Sequence, residues 1–414
     1  MAVDILIGLQ WGDEGKGKVV DVLANNYNVI ARFQGGPNAG HTLEFDGKKL
    51  VLHTIPSGIF HEKIVNVIGN GVVIDPISLK KEIELIQSYG VNVKKSLIIS
   101  KRANLILPSH RMLDASNEAF KGALKIGSTL KGIGPTYTDK IARHGLRIGE
   151  IYDSNFKEKY EKLKQFHILS MKAEVDFNLD PEEEKWFEAI EFLKQYNISY
   201  TEYFINEALN NGNNILAEGA QGSLLDIEFG TYPYVTSSNT ISASACIGLG
   251  FAPQKIRDVY GIVKAYTTRV GNGPFPTELN DEIGKRIQTI GNEFGSTTGR
   301  ARRCGWLDLP ALKYSIMLSG VTKIILTKSD ILNEFDCIKA CKEYITEDGK
   351  TNIFPINIEN ITPVYEEIKA WNSIYEGDKI NNDLLNYIKY LESNLNVEIP
   401  IISTGPNRKD IIFR

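Results

Sequence analysis

The sequence predicts an α/β fold, a large and mostly parallel central sheet with flanking helices, and two observations carry this prediction. Short β-branched runs alternate along the chain with segments of helical spacing, a pattern typical of parallel sheets covered by helices. The apolar run at residues 3–9 is followed by a glycine-rich turn with lysines and then by a helical segment, which is the order of a strand, a phosphate loop and a helix.

The elements of the sheet follow from this alternation. β-branched runs predict strands at residues 3–9, 28–33, 63–68, 96–100, 214–218, 258–264, 323–327 and 398–403. Apolar residues at helical spacing predict helices at residues 19–24, 76–89, 109–124, 307–318 and 382–395. In such sheets ligands bind at the carboxyl ends of the strands, so the motifs that follow strands are expected to converge on one crevice.

Two insertions are expected in this layout. Asp46-Gly47 between residues 42–45 and 48–51 predicts a tight hairpin, within a hairpin region at residues 42–60. Residues 109–211 are expected to be largely helical, with a helix beginning near Asp180. Since no linker divides the chain, we expect a single α/β domain over residues 1–414.

Composition excludes several classes of protein. The net charge of −4 over 414 residues gives no reason to expect nucleic acid or an anionic membrane as a partner. The four cysteines lack the spacing of a zinc site, which favours reduced thiols. We expect a cytoplasmic protein without a membrane span, because no basic leader or long apolar run is present.

The most informative motif follows the first predicted strand and reads Gly12-Asp13-Glu14-Gly15-Lys16-Gly17-Lys18. Its spacing fits the phosphate loop G-x-x-x-x-G-K, whose backbone N–H groups bind an anion. Val19 stands where that loop has a hydroxyl for Mg²⁺, so Asp13 is the expected metal ligand. The alternative is a glycine-rich turn without a ligand.

A second glycine-rich loop follows the strand predicted at residues 28–33, and it ends in His41. Its small residues allow the backbone to approach a ligand closely. An imidazole in this position suits a general acid or a donor to a developing oxyanion. A plain structural histidine is the alternative, and we interpret the other five histidines in that way.

Five further segments combine glycines or strand ends with polar side chains. They are Gly127–Pro135 with the nearby Arg143, Glu218–Gly222 with Thr236–Thr240, Ser296–Arg303, Thr327–Asp330 and Ser403–Pro406. The arginines of the third suit a dianionic ligand, since guanidinium groups bind carboxylates and phosphates through paired hydrogen bonds. The pattern T-K-x-D of the fourth suits guanine, whose N1–H and amine need a carboxylate acceptor. Structured turns remain the alternative for the first two.

In this order and combination, the motifs resemble those of the adenylosuccinate synthetase family, from the N-terminal Gln10–Lys18 to Ser403–Pro406. Little of residues 154–211 takes part in the resemblance. It implies a ligase of AMP biosynthesis that uses GTP and Mg²⁺ and passes through 6-phosphoryl-IMP. IMP and L-aspartate would be joined to form adenylosuccinate, with GDP and phosphate as the other products.

The resemblance also implies roles for the site residues. Asp13 would take the N1 proton of IMP and bind Mg²⁺, and the Gly40 carbonyl would be a second ligand of one Mg²⁺ per subunit. His41 would be the acid at O6 of IMP, and Lys16 would neutralise the transferring phosphoryl group. Arg143 would reach IMP in the neighbouring subunit, which implies a homodimer.

The implied binding residues form three groups. GTP would contact Gly12, Asp13, Glu14, Gly15, Lys16, Gly17, Lys18, Gly40, His41, Thr42, Arg302, Lys328, Ser329, Asp330, Ser403, Thr404 and Gly405. IMP would contact Asp13, Glu14, Gly15, Lys16, Asn38, Ala39, Gly40, His41, Thr129, Arg143, Gln221, Thr236 and Arg300. L-Aspartate would contact Ser296, Thr297, Thr298, Gly299, Arg300, Ala301 and Arg302.

Two other functions are compatible with parts of the pattern. A regulatory GTP-binding switch would use the phosphate loop and Thr327–Asp330, but it would have no use for His41 or for the arginine-rich segment. A different amide-forming ligase on the same scaffold is the weaker alternative.

Overall fold

A ten-stranded sheet forms the centre of the computed structural model, which describes residues 2–45, 47–295, 299–358 and 360–414. The strands of the described chain are β1 (Val3–Gly8), β2 (Val29–Arg32), β3 (His41–Phe45), β4 (Lys48–Leu52), β5 (Val65–Ile68), β6 (Val73–Ile74), β7 (Leu97–Ser100), β8 (Asn104–Leu105), β9 (Asn197–Ser199), β10 (Ile215–Glu218), β11 (Ile256–Lys264), β12 (Thr267–Arg269), β13 (Arg303–Gly305), β14 (Leu307–Asp308), β15 (Lys323–Thr327), β16 (Cys337–Thr346), β17 (Gly349–Thr351), β18 (Thr362–Lys369), β19 (Tyr375–Glu376), β20 (Lys379–Ile380), β21 (Glu398–Ser403) and β22 (Ile411–Phe413).

The order of the central sheet is β22-β21-β15-β11-β1-β10-β2-β5-β7-β9. Every neighbouring pair is parallel except β21 and β22. Strands β1, β2 and β10 are buried along their whole length, as expected for a sheet covered on both faces. The predicted fold class is therefore confirmed, and each predicted strand is present within two residues of its expected bounds.

Helices cover this sheet on both sides. In the described chain they are α1 (Lys16–Leu23), α2 (Pro76–Ser88), α3 (Val93–Ser96), α4 (Pro108–Lys121), α5 (Ile133–Ala142), α6 (Phe156–Leu169), α7 (Leu179–Leu193), α8 (Thr201–Asn210), α9 (Ser244–Leu249), α10 (Glu282–Ile290), α11 (Leu309–Ser319) and α12 (Asn382–Leu395). Side chains that accept from first-turn N–H groups begin several of them, at Asp75, Asp281, Asp308 and Asn381. No helix in the described residues is both long and apolar enough to span a membrane.

The segments outside the central sheet match the predicted insertions only in part. Strands β3 and β4 form the predicted antiparallel hairpin, although Asp46 of its turn lies outside the described residues. Between residues 109 and 211, helices α4 to α8 are joined by irregular segments, for example at 171–178, and β9 pairs with β7 at the sheet edge. A smaller sheet of β14, β16, β17 and β18 was not predicted. Most residues of β18 are exposed or half-buried, so its sequence carries little hydrophobic alternation.

Candidate active site

The phosphate loop connects the carboxyl end of β1 to the start of α1. Gly12, Asp13 and Gly15 have φ angles of 87°, 60° and 95°, in the region that glycine adopts most readily. A Cβ atom on Gly17 would lie 2.7 Å from Cβ of His41, so glycine at this position allows β3 to approach α1. The loop thereby brings the two glycine-rich motifs of the sequence together.

The buried carboxylate of Glu14 holds the backbone of this loop in place. Its carboxylate accepts hydrogen bonds from the backbone N–H of Gln10 at 3.2 Å and of Gly12 at 2.8 Å. The ammonium group of Lys16 lies 2.6 Å from the same carboxylate, and both side chains are buried. The Glu14 side chain is thus part of the loop's internal structure, and it holds Lys16 beside the loop.

His41 and Glu218 form a buried pair at the ends of β3 and β10. Nδ1 of His41 makes a short hydrogen bond with Oε1 of Glu218. The backbone N–H and the hydroxyl of Ser57 also donate to this carboxylate, at 2.8 and 2.7 Å. Nε2 of His41 is buried without a hydrogen-bond partner among the described residues. The imidazole is therefore fixed through one nitrogen, and the other is available to a ligand.

Arg32 adds a positive charge beneath this pair. It is fully buried on β2, directly opposite Glu218 in the register of the sheet. Burial lowers the pKa of His41, and the charge of Arg32 lowers it further. Burial raises the pKa of Glu218, but His41 and Arg32 outweigh that effect and lower it below its usual value. Glu218 is thus an ionised acceptor for the imidazole.

Asp13 at the tip of the phosphate loop is paired with Arg302. Nε of Arg302 donates to Oδ2 of Asp13 at 2.7 Å, while Nη1 donates to Oε2 of Glu293 at 2.6 Å. Arg303 turns elsewhere, toward Glu278 and the carbonyl groups of residues 271 and 273. Only one of these two neighbouring arginines therefore reaches the phosphate loop.

The residues expected to bind IMP lie on several separate loops. Nε2 of Gln221 donates to Oδ1 of Asn38 at 3.3 Å, and Oε1 of Gln221 is buried without a partner in the described chain. Thr129 and Thr236 are half-buried, and Arg143 is exposed at the end of α5. The structure brings Gln221 and Asn38 into contact, whereas Arg143 is on the surface.

Two carboxylates of α4 bind the polar groups of the segment Gly127–Pro135. The N–H groups of Gly127 and Ser128 donate to Glu118 of α4, and the hydroxyl of Ser128 donates to Asp114. These carboxylates occupy the groups that a phosphate cradle would use. Nη1 of Arg300 donates to the Gly127 carbonyl at 3.1 Å, which links this segment to the arginine-rich one.

The arginine-rich segment is described only in part. Ser296, Thr297 and Thr298 lie outside the described residues, so their expected contacts with L-aspartate remain predictions. Gly299, Arg300 and Ala301 are exposed.

A second group of loops meets behind the phosphate loop. The hydroxyl of Thr327 donates to the Glu14 carbonyl at 2.7 Å, and the hydroxyl of Ser329 donates to the Ser403 carbonyl at 3.3 Å. Oδ1 of Asp330 is buried without a hydrogen-bond partner in the described chain, and burial raises the pKa of this carboxyl group. Asp330 thus presents an acceptor that a ligand donor can satisfy.

Lys18 fastens this group of loops to α1. Its ammonium group donates to the Ser403 hydroxyl at 2.8 Å and to the carbonyl groups of Gly405 and Asp410 at 2.6 and 2.8 Å. Burial lowers the pKa of Lys18 to about 8. Lys18 therefore connects the phosphate loop to Ser403–Gly405. Lys328, by contrast, donates to the Gly291 carbonyl at 2.8 Å.

A buried cluster of His110, Asp139 and His167 also has donor atoms close enough to hold a metal. Nε2 of each imidazole hydrogen-bonds Oδ2 of Asp139, at 2.9 and 2.7 Å. The Leu107 N–H donates to Nδ1 of His110, so in the neutral ring Nε2 carries the proton and has no lone pair for a metal. The cluster is better suited to tying α4, α5 and α6 together, and imidazoles are poor ligands for Mg²⁺.

Several residues of the site were not assigned a role from the sequence. Glu218 lies at the end of a predicted buried strand, and a carboxylate there is a signal that could have singled it out. Ser57, Arg32 and Glu293 carry no comparable local signal, since their contacts depend on the folded chain.

Comparison with known proteins decides between the alternatives. The sequence profile described as Adenylosuccinate synthetase matches residues 5–412. The chain belongs to the adenylosuccinate synthetase family. Curated relatives of that name include the protein of Flavobacterium johnsoniae, 57% identical with all of both chains covered, and that of Bacteroides fragilis, 56% identical over all of this chain and 99% of the relative.

Solved structures agree with this assignment. The fully ligated adenylosuccinate synthetase of Plasmodium falciparum superposes with a TM-score of 0.92 at 37% identity, over 100% of this chain and 99% of that one. A succinoaminodeoxyadenylate synthetase of cyanophage S-2L has a TM-score of 0.65 at 21% identity, over 100% of this chain and 95% of that one, and it shows the shared fold alone. The predicted family and the predicted ligase activity, synthesis of adenylosuccinate, are confirmed.

Proposed function

We propose that the chain joins IMP and L-aspartate in two steps, with GTP as the phosphoryl donor. In the first step O6 of IMP takes the γ-phosphoryl group of GTP, and GDP leaves. In the second step the amine of L-aspartate attacks C6, the C6–O6 bond breaks, and adenylosuccinate and phosphate are released. The observation that carries this proposal is His41, whose Nδ1 is bound to Glu218 while its buried Nε2 has no partner in the described chain.

Asp13 is the proposed base for the first step. The lactam oxygen O6 is a poor nucleophile until N1 loses its proton, and a carboxylate is a suitable acceptor for that proton. Asp13 lies at the tip of the phosphate loop, where its side chain is partly exposed and pairs with Arg302. IMP would therefore compete with Arg302 for this carboxylate.

His41 is the proposed acid at O6. Because Nδ1–H is donated to Glu218, His41 can donate from Nε2 only as the imidazolium. Burial and Arg32 disfavour that form, and negative charge developing at O6 would favour it. The carboxylate of Glu218 stabilises that charge and fixes the orientation of the ring. Nε2 then stabilises negative charge that develops at O6, and Lys16 is the proposed partner of the transferring phosphoryl group.

The proposed guanine pocket is formed by Lys328, Ser329 and Asp330 together with Ser403–Gly405. The unpartnered Oδ1 of Asp330 supports this assignment, because guanine N1–H and its amine are donors that adenine does not present in the same way. Asn38, Gln221, Thr129, Thr236 and Arg300 remain the proposed contacts of IMP. The Asn38–Gln221 contact supports a common binding surface for two of them.

One Mg²⁺ per subunit is the proposed cofactor, held by the carboxylate of Asp13 and the carbonyl of Gly40. Both are oxygen ligands of the type that Mg²⁺ takes, and both lie on loops that follow strands of the central sheet, β1 and β2, with β10 between them. When bound, Mg²⁺ would neutralise charge on the transferring phosphoryl group.

We also propose a homodimer in which Arg143 completes the partner's IMP site. Arg143 is exposed, and the side chains of Ile141 and Ile247 are 79% and 80% exposed. Lys140 and Ile247 are joined through Asn70, so these apolar side chains flank one surface. Arg143→Leu subunits mixed with Asp13→Ala subunits should regain activity if the site is shared. No recovery in mixed dimers that demonstrably form would contradict this assembly.

The domain layout and location are proposals of the same kind. We propose that residues 1–414 act as one α/β domain with insertions at 42–60 and 109–211, and that it works in the cytoplasm. The continuous sheet from β22 to β9, which includes strands from both ends of the chain, supports the single domain.

Oxygen tracing tests the two-step reaction. With IMP labelled by ¹⁸O at the 6-oxo position, the proposed route transfers the label to the released phosphate, because O6 leaves C6 as part of that phosphate. Mass spectrometry of phosphate and adenylosuccinate measures this transfer. Label that appears in water instead would contradict the phosphorylated intermediate.

A further inference from the structure

Glu293 closes the base of the arginine loop, defined here as residues 294–301. The N–H of Arg302 donates to the Glu293 carbonyl at 2.9 Å, and Phe294 and Ala301 form an isolated antiparallel bridge. The side chains repeat the connection, since Nη1 of Arg302 donates to Oε2 of Glu293 at 2.6 Å. Glu293 therefore holds Arg302 through both its backbone and its carboxylate.

The carboxylate of Glu293 is itself fixed from the central sheet. The Lys264 ammonium group, at the end of β11, donates to its two oxygens at 2.9 and 3.0 Å. The Tyr266 hydroxyl donates at 2.5 Å, and all three side chains are almost completely buried. Burial raises the pKa of Glu293, but Lys264 and Arg302 outweigh it and lower the pKa to about 2. Glu293 is thus an anion at neutral pH that Lys264 and Tyr266 hold in addition to Arg302.

Arg302 consequently has two carboxylate partners of different kinds. The side chain of Glu293 is 0% exposed, whereas that of Asp13 is 30% exposed and lies on the phosphate loop. The Nη1 edge of the guanidinium faces the fixed partner, and Nε faces the accessible one. A carboxylate that enters from solvent can replace Asp13 without disturbing Glu293.

We infer that Glu293 is a positioning residue for the amino-acid substrate. It keeps Arg302 in place while a carboxylate of L-aspartate replaces Asp13 on the guanidinium. The exchange gives L-aspartate its cationic partner and releases Asp13 for its own role. This inference rests on the proposed function of Arg302 in binding L-aspartate, and it adds the buried group through which Arg302 is held.

The test is steady-state kinetics of Glu293→Gln in the intact enzyme. Loss of a charge-assisted hydrogen bond to the guanidinium should raise KM for L-aspartate about tenfold or more. KM for IMP should stay within about twofold, since Arg302 is not among the proposed contacts of IMP. A general loss of structure would instead alter all three constants together.

Glu278→Gln is the matched control. Glu278 pairs with Arg303, the neighbour of Arg302, and that pair faces away from the phosphate loop. This variant should leave KM for L-aspartate within about twofold of the wild type. In an Arg302→Leu background, Glu293→Gln should have no further effect on that KM, because its action passes through Arg302.

Glu293→Gln leaves Lys264 buried without its anion and could prevent folding, so a second variant is needed. The double variant Lys264→Met with Glu293→Gln removes both charges and should show the same rise in KM for L-aspartate. An unchanged KM in either folded variant overturns the inference while adenylosuccinate formation by the wild type upholds the proposed function. A wild-type enzyme that forms no adenylosuccinate overturns both.

Discussion

Replacement of Glu218 by glutamine should disable His41 without unfolding the enzyme. The two carboxylate oxygens of Glu218 accept three hydrogen bonds, from Nδ1 of His41 and from the N–H and hydroxyl of Ser57. A glutamine amide has one acceptor oxygen and presents a donor at the other position. Either the Ser57 N–H loses its acceptor, or His41 faces an N–H₂ group and changes tautomer.

The magnitude follows from these contacts. A buried donor left without an acceptor costs about 1–3 kcal/mol of stability. The imidazolium would also lose its counter-charge, and a positioned acid contributes about 10²–10⁴-fold to the rate. We therefore expect kcat of Glu218→Gln to fall about a hundredfold or more, with KM for the three substrates little changed.

The assay is initial-rate kinetics of adenylosuccinate formation, with stability followed by urea denaturation. Glu82→Gln is the control, because Glu82 is also a buried carboxylate beside Arg32 but accepts from the backbone of residues 53–55 and does not contact His41. It should lose stability while kcat stays within about threefold of the wild type. A Glu218→Gln enzyme with wild-type kcat would refute the proposed role of the pair.

Three further predictions concern separate parts of the chain. Asp13→Asn should lower kcat about a thousandfold or more. Its thermal unfolding should stay close to that of the wild type, because the side chain is partly exposed. Substantial turnover would rule out the role of Asp13 as the base. Asp330→Asn should weaken the preference for GTP over ITP and XTP, measured as relative kcat/KM, and an unchanged preference would exclude Asp330 from the guanine pocket. Burial raises the pKa of Glu82 to about 7, so its contribution to stability is full below about pH 4.5 and is lost as the pH rises through 7. Between pH 5 and 8 the free energy of unfolding should therefore fall about 2.5 kcal/mol less in Glu82→Gln than in the wild type, and equal falls would contradict the raised pKa.

The centre of the sheet could be predicted because strands buried on both faces have continuous apolar runs. Strands β1, β2 and β10 are of this kind. The edge strands β9 and β22 have three residues each and are partly exposed, so they leave no comparable pattern. The same reason applies to β18 in the smaller sheet.

The site could be predicted where function requires a local backbone shape, and less so where it depends on contacts across the chain. The phosphate loop and the loop before His41 show their glycines directly in the sequence. Glu218 contacts His41 from 177 positions away, and no sequence pattern links the two. The pairing of Asp13 with Arg302, 289 positions apart, likewise follows from the fold.

The measurement that tests the account most directly is product formation by the purified chain with Mg²⁺, IMP, GTP and L-aspartate. The absorbance change of the purine reports adenylosuccinate, and each substrate is omitted in turn. The account predicts product only when all three substrates are present. Hydrolysis of GTP without IMP and L-aspartate, and no adenylosuccinate in the complete mixture, would contradict it.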